Sequence, residues 1–499
     1  MKPFVKLTAV MCICAICLSC TGSKAPQTYV ESSGLPEIYP DYADVTVPPN
    51  IAPLHFMIDE KADAYVTRLS WSRGEWITDK QKVRPSLSVW RKMLKEADEA
   101  LTVEVFVKHG EKWTRRKPFH IYVAQEEIDP YLSYRLIAPS YVMYLDLTIS
   151  QRNLTNYKET VIYGNQINND ADHMHCINCH SYQNYNPNRL QFHIRESYGG
   201  TLIAYDGKII KVNLKTDSLI SGGAYPAWHP TKKLIAYAII NTGQVFHTRD
   251  LQKIEVQDCK SDLALYDIDN NEVIRIIGDP NELEVYPWWS PDGNYLYYAS
   301  ALFIQRDTPE NLNKEVILRY KDIKYNLYRR SYNQQTEEIG EPELVFNADT
   351  LGMSATYPRI SPDGRWLLFT LAPYGVFHIW HKDADLYLMD LKDNSVRTLN
   401  EVNSDDVESY HCWSSNGRWF VFSSRRYDGN YTRPFIAYFD KNGRAHKPFE
   451  LPQDDPDYHR QLLRSYNLPE FMKGPVTITP QQFGRAVYAL DDMPAKQKN

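Results

Sequence analysis

The chain has 499 residues, a formal net charge of −6, and 43% hydrophobic residues. That length exceeds one compact core of ordinary size, so two domains or one large repeat architecture are expected, and the acidic balance, with Lys and Arg scattered among the acids, argues against nucleic acid as a partner. Aromatic residues reach 13%, with 36 tyrosines, and point to β-structure with wide amphipathic faces.

At the amino terminus Lys2 and Lys6 precede an apolar run from Leu7 to Leu18, which ends at Ser19-Cys20 and turns polar at Thr21. This is the pattern of a signal peptide over residues 1–19. About a dozen apolar residues fall short of the roughly 20 a helix needs to cross a bilayer, so no transmembrane helix is expected. Leu18-Ser19-Cys20 resembles the lipobox of bacterial lipoproteins, which implies lipidation at Cys20, although Cys17 stands where that family prefers Leu or Val. The chain is thus expected to be exported, as a periplasmic or outer-membrane lipoprotein, with a linker at 20–33.

Residues 34–169 read as a separate N-terminal unit. A helix candidate at Leu87 to Ala100 precedes strand-like runs such as Leu101 to Val107 and Phe119 to Ala124, and an immunoglobulin-like β-sandwich is the expectation.

Chemistry is concentrated at 170–195. His173-Met174-His175-Cys176-Ile177-Asn178-Cys179-His180 contains Cys-x-x-Cys-His, the attachment pattern of c-type haem. Two thiols three positions apart can form thioethers to one porphyrin, with the adjacent His180 as proximal iron ligand. Met174 and His175 are too near the attachment point to reach the distal face. His193 is the nearest candidate for that ligand, with Met353 and His229 weaker ones. Two other readings stand beside haem: zinc held by Cys176, Cys179, His180 and either His173 or His175, and a Cys176–Cys179 disulfide, structural or redox-active. Cys259 and Cys412 are expected to be buried free thiols.

From 196 to 452 one frame recurs: Tyr225-Pro-Ala-Trp-His-Pro, Tyr286-Pro-Trp-Trp-Ser-Pro-Asp-Gly, Tyr357-Pro-Arg-Ile-Ser-Pro-Asp-Gly and Tyr410-His-Cys-Trp-Ser-Ser-Asn-Gly. Each copy leads into an apolar strand, and Pro-Asp-Gly supplies the hairpin turn between them. With a further strand signal downstream, each repeat makes a four-stranded blade, spaced more widely than the roughly 40 to 50 residues of ordinary blades. The excess is assigned to loops, among them Lys314 to Lys324. The fold class is therefore all-β: a C-terminal β-propeller of about six blades, at least four of them evident, after the β-sandwich. Asp292 and Asp363 belong to the turns and are read as structural. Gly199 to Tyr205 with Ile209 to Leu214 reads as an earlier, degenerate blade, and the closing one must draw on the stretch after Pro475 or on the N-terminal region. Residues 453–499 are expected to hold a helix over Asp454 to Met472, a closing strand and a disordered tail after Pro494.

The frame is similar to the propeller repeats of TolB. The order of N-terminal β region, Cys-x-x-Cys-His, Phe192-His193-Ile194-Arg195 and propeller resembles TolB-like lipoproteins of the Bacteroidetes. The resemblance implies an envelope protein whose propeller docks a partner protein, a peptide or a carbohydrate. Two functions follow: electron transfer through one haem c at Cys176, Cys179 and His180, with His193 as distal ligand, or a TolB-like binding module whose cysteine segment is a zinc or disulfide staple. No nucleophile elbow, metalloprotease helix or phosphate-binding loop is present, so no catalytic residue is assigned.

Overall fold

The computed structural model describes residues 23–138, 146–168, 172–249, 252, 254–276, 278–489 and 493–498. The signal peptide and Cys20 lie outside them. No helix of the described residues is long and apolar enough to cross a membrane.

Each Tyr-Pro frame occupies the first strand of a sheet, and the turn after it folds the chain back into the second. In these turns the Gly293, Gly364 and Gly417 amides donate to the Ser290, Ser361 and Ser414 carbonyls at 2.8–2.9 Å. The three glycines have φ of 73°, 75° and 65°, the left-handed region that costs other L-residues about 1–2 kcal/mol. Asp292 and Asp363 accept from the Ser290 and Ser361 hydroxyls inside the turns, consistent with a structural role.

Six four-stranded blades result. Blade 1 comprises His175–Tyr182, Leu190–Glu196, Gly200–Tyr205 and Lys208–Asn213, and blade 2 comprises Ala224–Trp228, Leu234–Phe246, Ile254–Asp267 and Glu272–Ile276. Blade 3 runs from Glu282–Trp289 to Ile339–Phe346, blade 4 from Ser354–Ile360 to Ser395–Thr398, and blade 5 from Glu408–Trp413 to Phe449–Glu450. Blade 6 is built from both ends of the chain: its innermost strand, Ser465–Met472, pairs antiparallel with Tyr131–Ile137, which continues into Thr148–Asn153 and Glu159–Gly164. The first strand of each blade touches that of the next, and the series closes when Ser465–Met472 meets His175–Tyr182.

Several elements differ from the sequence expectation. Residues 131–164, grouped there with the N-terminal unit, belong to the sheet that closes the ring. The Cys-x-x-Cys-His segment is no separate connector but the innermost strand of blade 1. The expected helix over Asp454 to Met472 shrinks to Tyr458–Gln461, because the rest is needed as the closing strand. The charged stretch near Lys314 contains a helix, Leu312–Leu318. The tail after Pro494 pairs through Lys496–Gln497 with Glu272–Ile276.

The N-terminal unit has a seven-stranded sheet and a three-stranded sheet, with parallel pairs at Val30–Glu31 with Lys112–Arg115 and at Val45–Val47 with Phe119–Val123. These parallel pairings depart from the all-antiparallel immunoglobulin pattern. Helix Leu87–Glu96, capped by the Ser86 hydroxyl at the Val89 amide, buries Trp90, Met93 and Leu94 in the same core. That core runs without a break into blade 5, where Cys412, Trp419 and Val421 join it.

Candidate functional site

The six innermost strands share one irregularity. Their pairing shifts at Cys179, Tyr225, Tyr286, Tyr357, Tyr410 and Leu468, and these residues have φ between 47° and 60°. Each is a β-bulge that re-aims a side chain. Cys179-His180 is thus the first blade's copy of the Tyr-Pro element, and Leu468-Pro469 the sixth. The four tyrosine rings meet in series, tilted or edge to face, with centroids 4.4, 5.0 and 5.4 Å apart. They separate a cavity lined by residues before the bulges from one lined by residues after them.

The bulge also divides the Cys-x-x-Cys-His set. Strand alternation sends His175 and Ile177 toward blade 6, where His175 Nε2 meets the Tyr163 hydroxyl at 2.9 Å. Cys176, Asn178 and the bulge residue Cys179 face the first cavity. His180 returns to the blade 6 side: it is 2% exposed, lies beside Arg135 and the Leu468 backbone, and is held neutral, its pKa pushed down to about 3 by burial first and by the Arg135 charge second. His193 packs on Tyr237 of blade 2 with Nδ1 on the Thr201 hydroxyl at 2.7 Å. Burial likewise pushes its pKa down to about 3.

A haem joined to both thiols with iron between His180 and His193 would require these imidazoles to face each other, yet the sheet of blade 1 lies between them. The residues as folded do not fit that group. The zinc set is divided in the same way, and among the described residues no three His, Cys, Asp or Glu side chains stand close enough to hold one metal ion. Of the weaker distal candidates, His229 is bound to the Gly293 carbonyl at 3.2 Å and Met353 packs against the core of blades 2 to 4. What the structure does bring together is the two thiols, on one cavity wall, both free. Cys259 and Cys412 are buried free thiols in blades 2 and 5.

This cavity, of about 450 Å³, is roofed by an extension of blade 2. Leu234–Phe246 and Ile254–Asp267 are 13 and 14 residues long, and their outer halves place Thr242, Gln244, Phe246, Ile254 and Val256 over it. The extension is tied down on its far side by Tyr374 Oη donating to Gln252 at 3.2 Å and by Glu255 Oε2, 3.4 Å from His381 Nε2. Three arginines that the sequence reading assigned no role line the cavity: Arg135 from blade 6, Arg195 from blade 1 and Arg425 from blade 5. Arg195 is legible in retrospect, lying in register with Cys176; no sequence signal marks Arg135 or Arg425.

No family model matches the chain, and no curated protein does. Among solved structures it is similar to the tricorn protease (11% identity, TM-score 0.35, covering 72% of this chain and 33% of that one). It is also similar to the GH74 enzyme of Niastella koreensis (10%, 0.36, 63% and 44%) and to the β-propeller domain of Cps50 (Swd1) from Myceliophteria thermophila (11%, 0.27, 56% and 87%). The closed ring of six sheets makes the chain a β-propeller protein. It spans about a third of the tricorn protease and less than half of the GH74 enzyme, and these likenesses concern fold alone.

The propeller's second cavity, about 310 Å³, is walled by Trp228, Trp288, Trp289 and Tyr185 and contains Glu470. Burial pushes the Glu470 carboxyl up to about 8, against the opposing charge of Arg359. Between about pH 4.5 and 8 the unfolded chain has released this proton while the folded chain holds it, so stability falls as pH rises through that window. Glu470→Gln is therefore expected to melt higher than the parent at pH 8, with the difference vanishing near pH 4. Equal shifts at both pH values in thermal melts would show that the carboxyl is not the cause.

Proposed function

We propose that this protein is an exported binding module, anchored through lipid on Cys20, whose propeller takes a ligand into the roofed cavity beside Cys176 and Cys179. The observation that carries the reading is the cavity itself: a concave, largely apolar space with a few convergent polar groups, the usual character of a ligand site. This is the TolB-like reading, with the cysteine strand as a wall of the site. Electron transfer through a haem at Cys176, Cys179, His180 and His193 stands behind it, because the folded strand would have to invert to present those groups together.

The test uses the full chain expressed in a bacterial envelope together with a haem-attachment system. A photoreactive residue replaces Phe246 at the cavity roof or, as control, Leu344 on the outer strand of blade 3; the two native side chains are similarly exposed, at 51% and 52%. Cross-linked adducts are expected from position 246 alone. The protein's mass should match the lipidated polypeptide with four titratable thiols, at Cys176, Cys179, Cys259 and Cys412. A mass increment of one haem that survives denaturation would restore the cytochrome reading. Equal labelling from both positions would remove the channel reading.

A further inference from the structure

Arg425 is 7% exposed, and its guanidinium stacks on the Trp380 ring at 3.7 Å. Its Nε has no hydrogen-bond partner, and the carboxylates that act on it, Asp406 and Asp428, do so from beyond ion-pairing distance. Burial brings its pKa down to about 10, the signature of a cation kept from water without a matching anion. Arg135 is half-buried; its Nε lacks a partner, and the side-chain hydrogen bond it makes among the described residues is from Nη1 to the Ile177 carbonyl at 3.3 Å. Arg195, exposed, completes the set at the rim. None of the three is in an ion pair among the described residues, and no Asp or Glu among them lines the cavity. A buried charge such as that of Arg425 is ordinarily paired, which points to an anion brought by a ligand.

The rest of the wall restricts which anion. Ile137, Ile240, Ile254, Val256, Ile379 and Leu468 face the same space, with Thr242, Gln244, Ser465 and Asn467 among them. Six aliphatic side chains on one wall favour a carboxylate carried on an apolar group. Beside Cys176, Asn178 presents a buried Oδ1 with no donor, which suits an amide N–H on the carbon that bears such a carboxylate and would be wasted on a fatty acid. Planar, bidentate carboxylate recognition is the chemistry to which arginine is best suited.

We propose that the cavity captures the free carboxyl terminus of a peptide ending in an apolar residue, with Arg425 and Arg135 on the carboxylate, Arg195 steering it in, and Asn178 accepting the last backbone N–H. This rests on the reading of the cavity as a ligand site and names its ligand.

The experiment measures binding of an N-acetylated tripeptide ending in phenylalanine, as free acid and as carboxamide, by calorimetry on the full chain. The free acid is expected to bind at least about tenfold more tightly. Arg195→Gln, a rim change with no packing role, should weaken the acid several-fold and leave the amide unaltered. Arg425→Gln should abolish the preference for the acid, with its melting curve compared with that of Arg425→Lys to separate lost recognition from lost fold. Equal binding of acid and amide, both sensitive to the bulky roof substitution Thr242→Trp, would overturn the carboxylate assignment while leaving the channel reading intact. Tighter binding of octanoate or of a hexuronate would overturn the peptide assignment. If neither peptide, octanoate nor hexuronate binds and the photoreactive roof captures nothing, both readings fall.

Discussion

Deleting residues 465–499 is expected to yield a chain that self-associates and has lost its cooperative thermal transition. Ser465–Met472 is the innermost strand of blade 6 and joins the innermost strand of blade 5 to Tyr131–Ile137 along the inner ring. Without it Tyr131–Ile137 becomes an open sheet edge, a ready template for pairing with another chain. The contact also contains Tyr466, fully buried, with its ring 4.7 Å from that of Tyr134 and its hydroxyl 3.2 Å from His459 Nε2. Tyr466→Ala alone should cost about 3–5 kcal/mol, the range for removing a large buried aromatic side chain. Circular-dichroism melts and size-exclusion chromatography check both changes. A monomeric truncated chain with a sharp transition would show that the ring holds without its closing strand.

Trp419→Ala is expected to cost a similar amount, about 3–5 kcal/mol, and to loosen the N-terminal unit from the ring. Trp419 belongs to the second strand of blade 5, yet its Nε1 donates to the Glu126 carbonyl at 3.2 Å, and its indole sits in one core with Val103 and Phe119. It therefore joins two units that the sequence presents as separate. Limited proteolysis should show the variant cut sooner within residues 30–123 than in the propeller. An unchanged cleavage pattern with a loss below about 1 kcal/mol would mean that the shared core does not couple them.

The propeller was legible because the frame tyrosine recurs in blades 2 to 5, with the following proline in blades 2 to 4 and the glycine turn in blades 3 to 5, the same backbone conformation favouring the same residues. Blade 1 was legible only as a degenerate blade over Gly199 to Tyr205 and Ile209 to Leu214, and blade 6 was not legible; in these two Cys179-His180 and Leu468-Pro469 take the place of Tyr-Pro. Pro469 keeps the first frame proline, but with Leu468 in place of the tyrosine the segment read as helix. The same substitution explains the candidate site. Cys-x-x-Cys-His has the spacing of a haem motif along the chain, whereas a bulge at Cys179 decides which side of the sheet each group faces. That parity is a property of backbone pairing and is not written in the spacing. Arg425 and Arg135 were missed for a related reason: they come from blades 5 and 6 and meet only when the ring is closed.

The two-ended construction of blade 6 sets a timetable. The strands at 131–164 leave the ribosome well before Ser465–Met472, and at about 5–20 residues per second that gap amounts to roughly 15 to 60 s. Throughout it the inner edge of Tyr131–Ile137 lacks its permanent neighbour, so the youngest part of the chain determines when the oldest part of the ring becomes safe from misassociation. Mutations that slow its last segment should accordingly lower yield without altering the stability of the finished molecule.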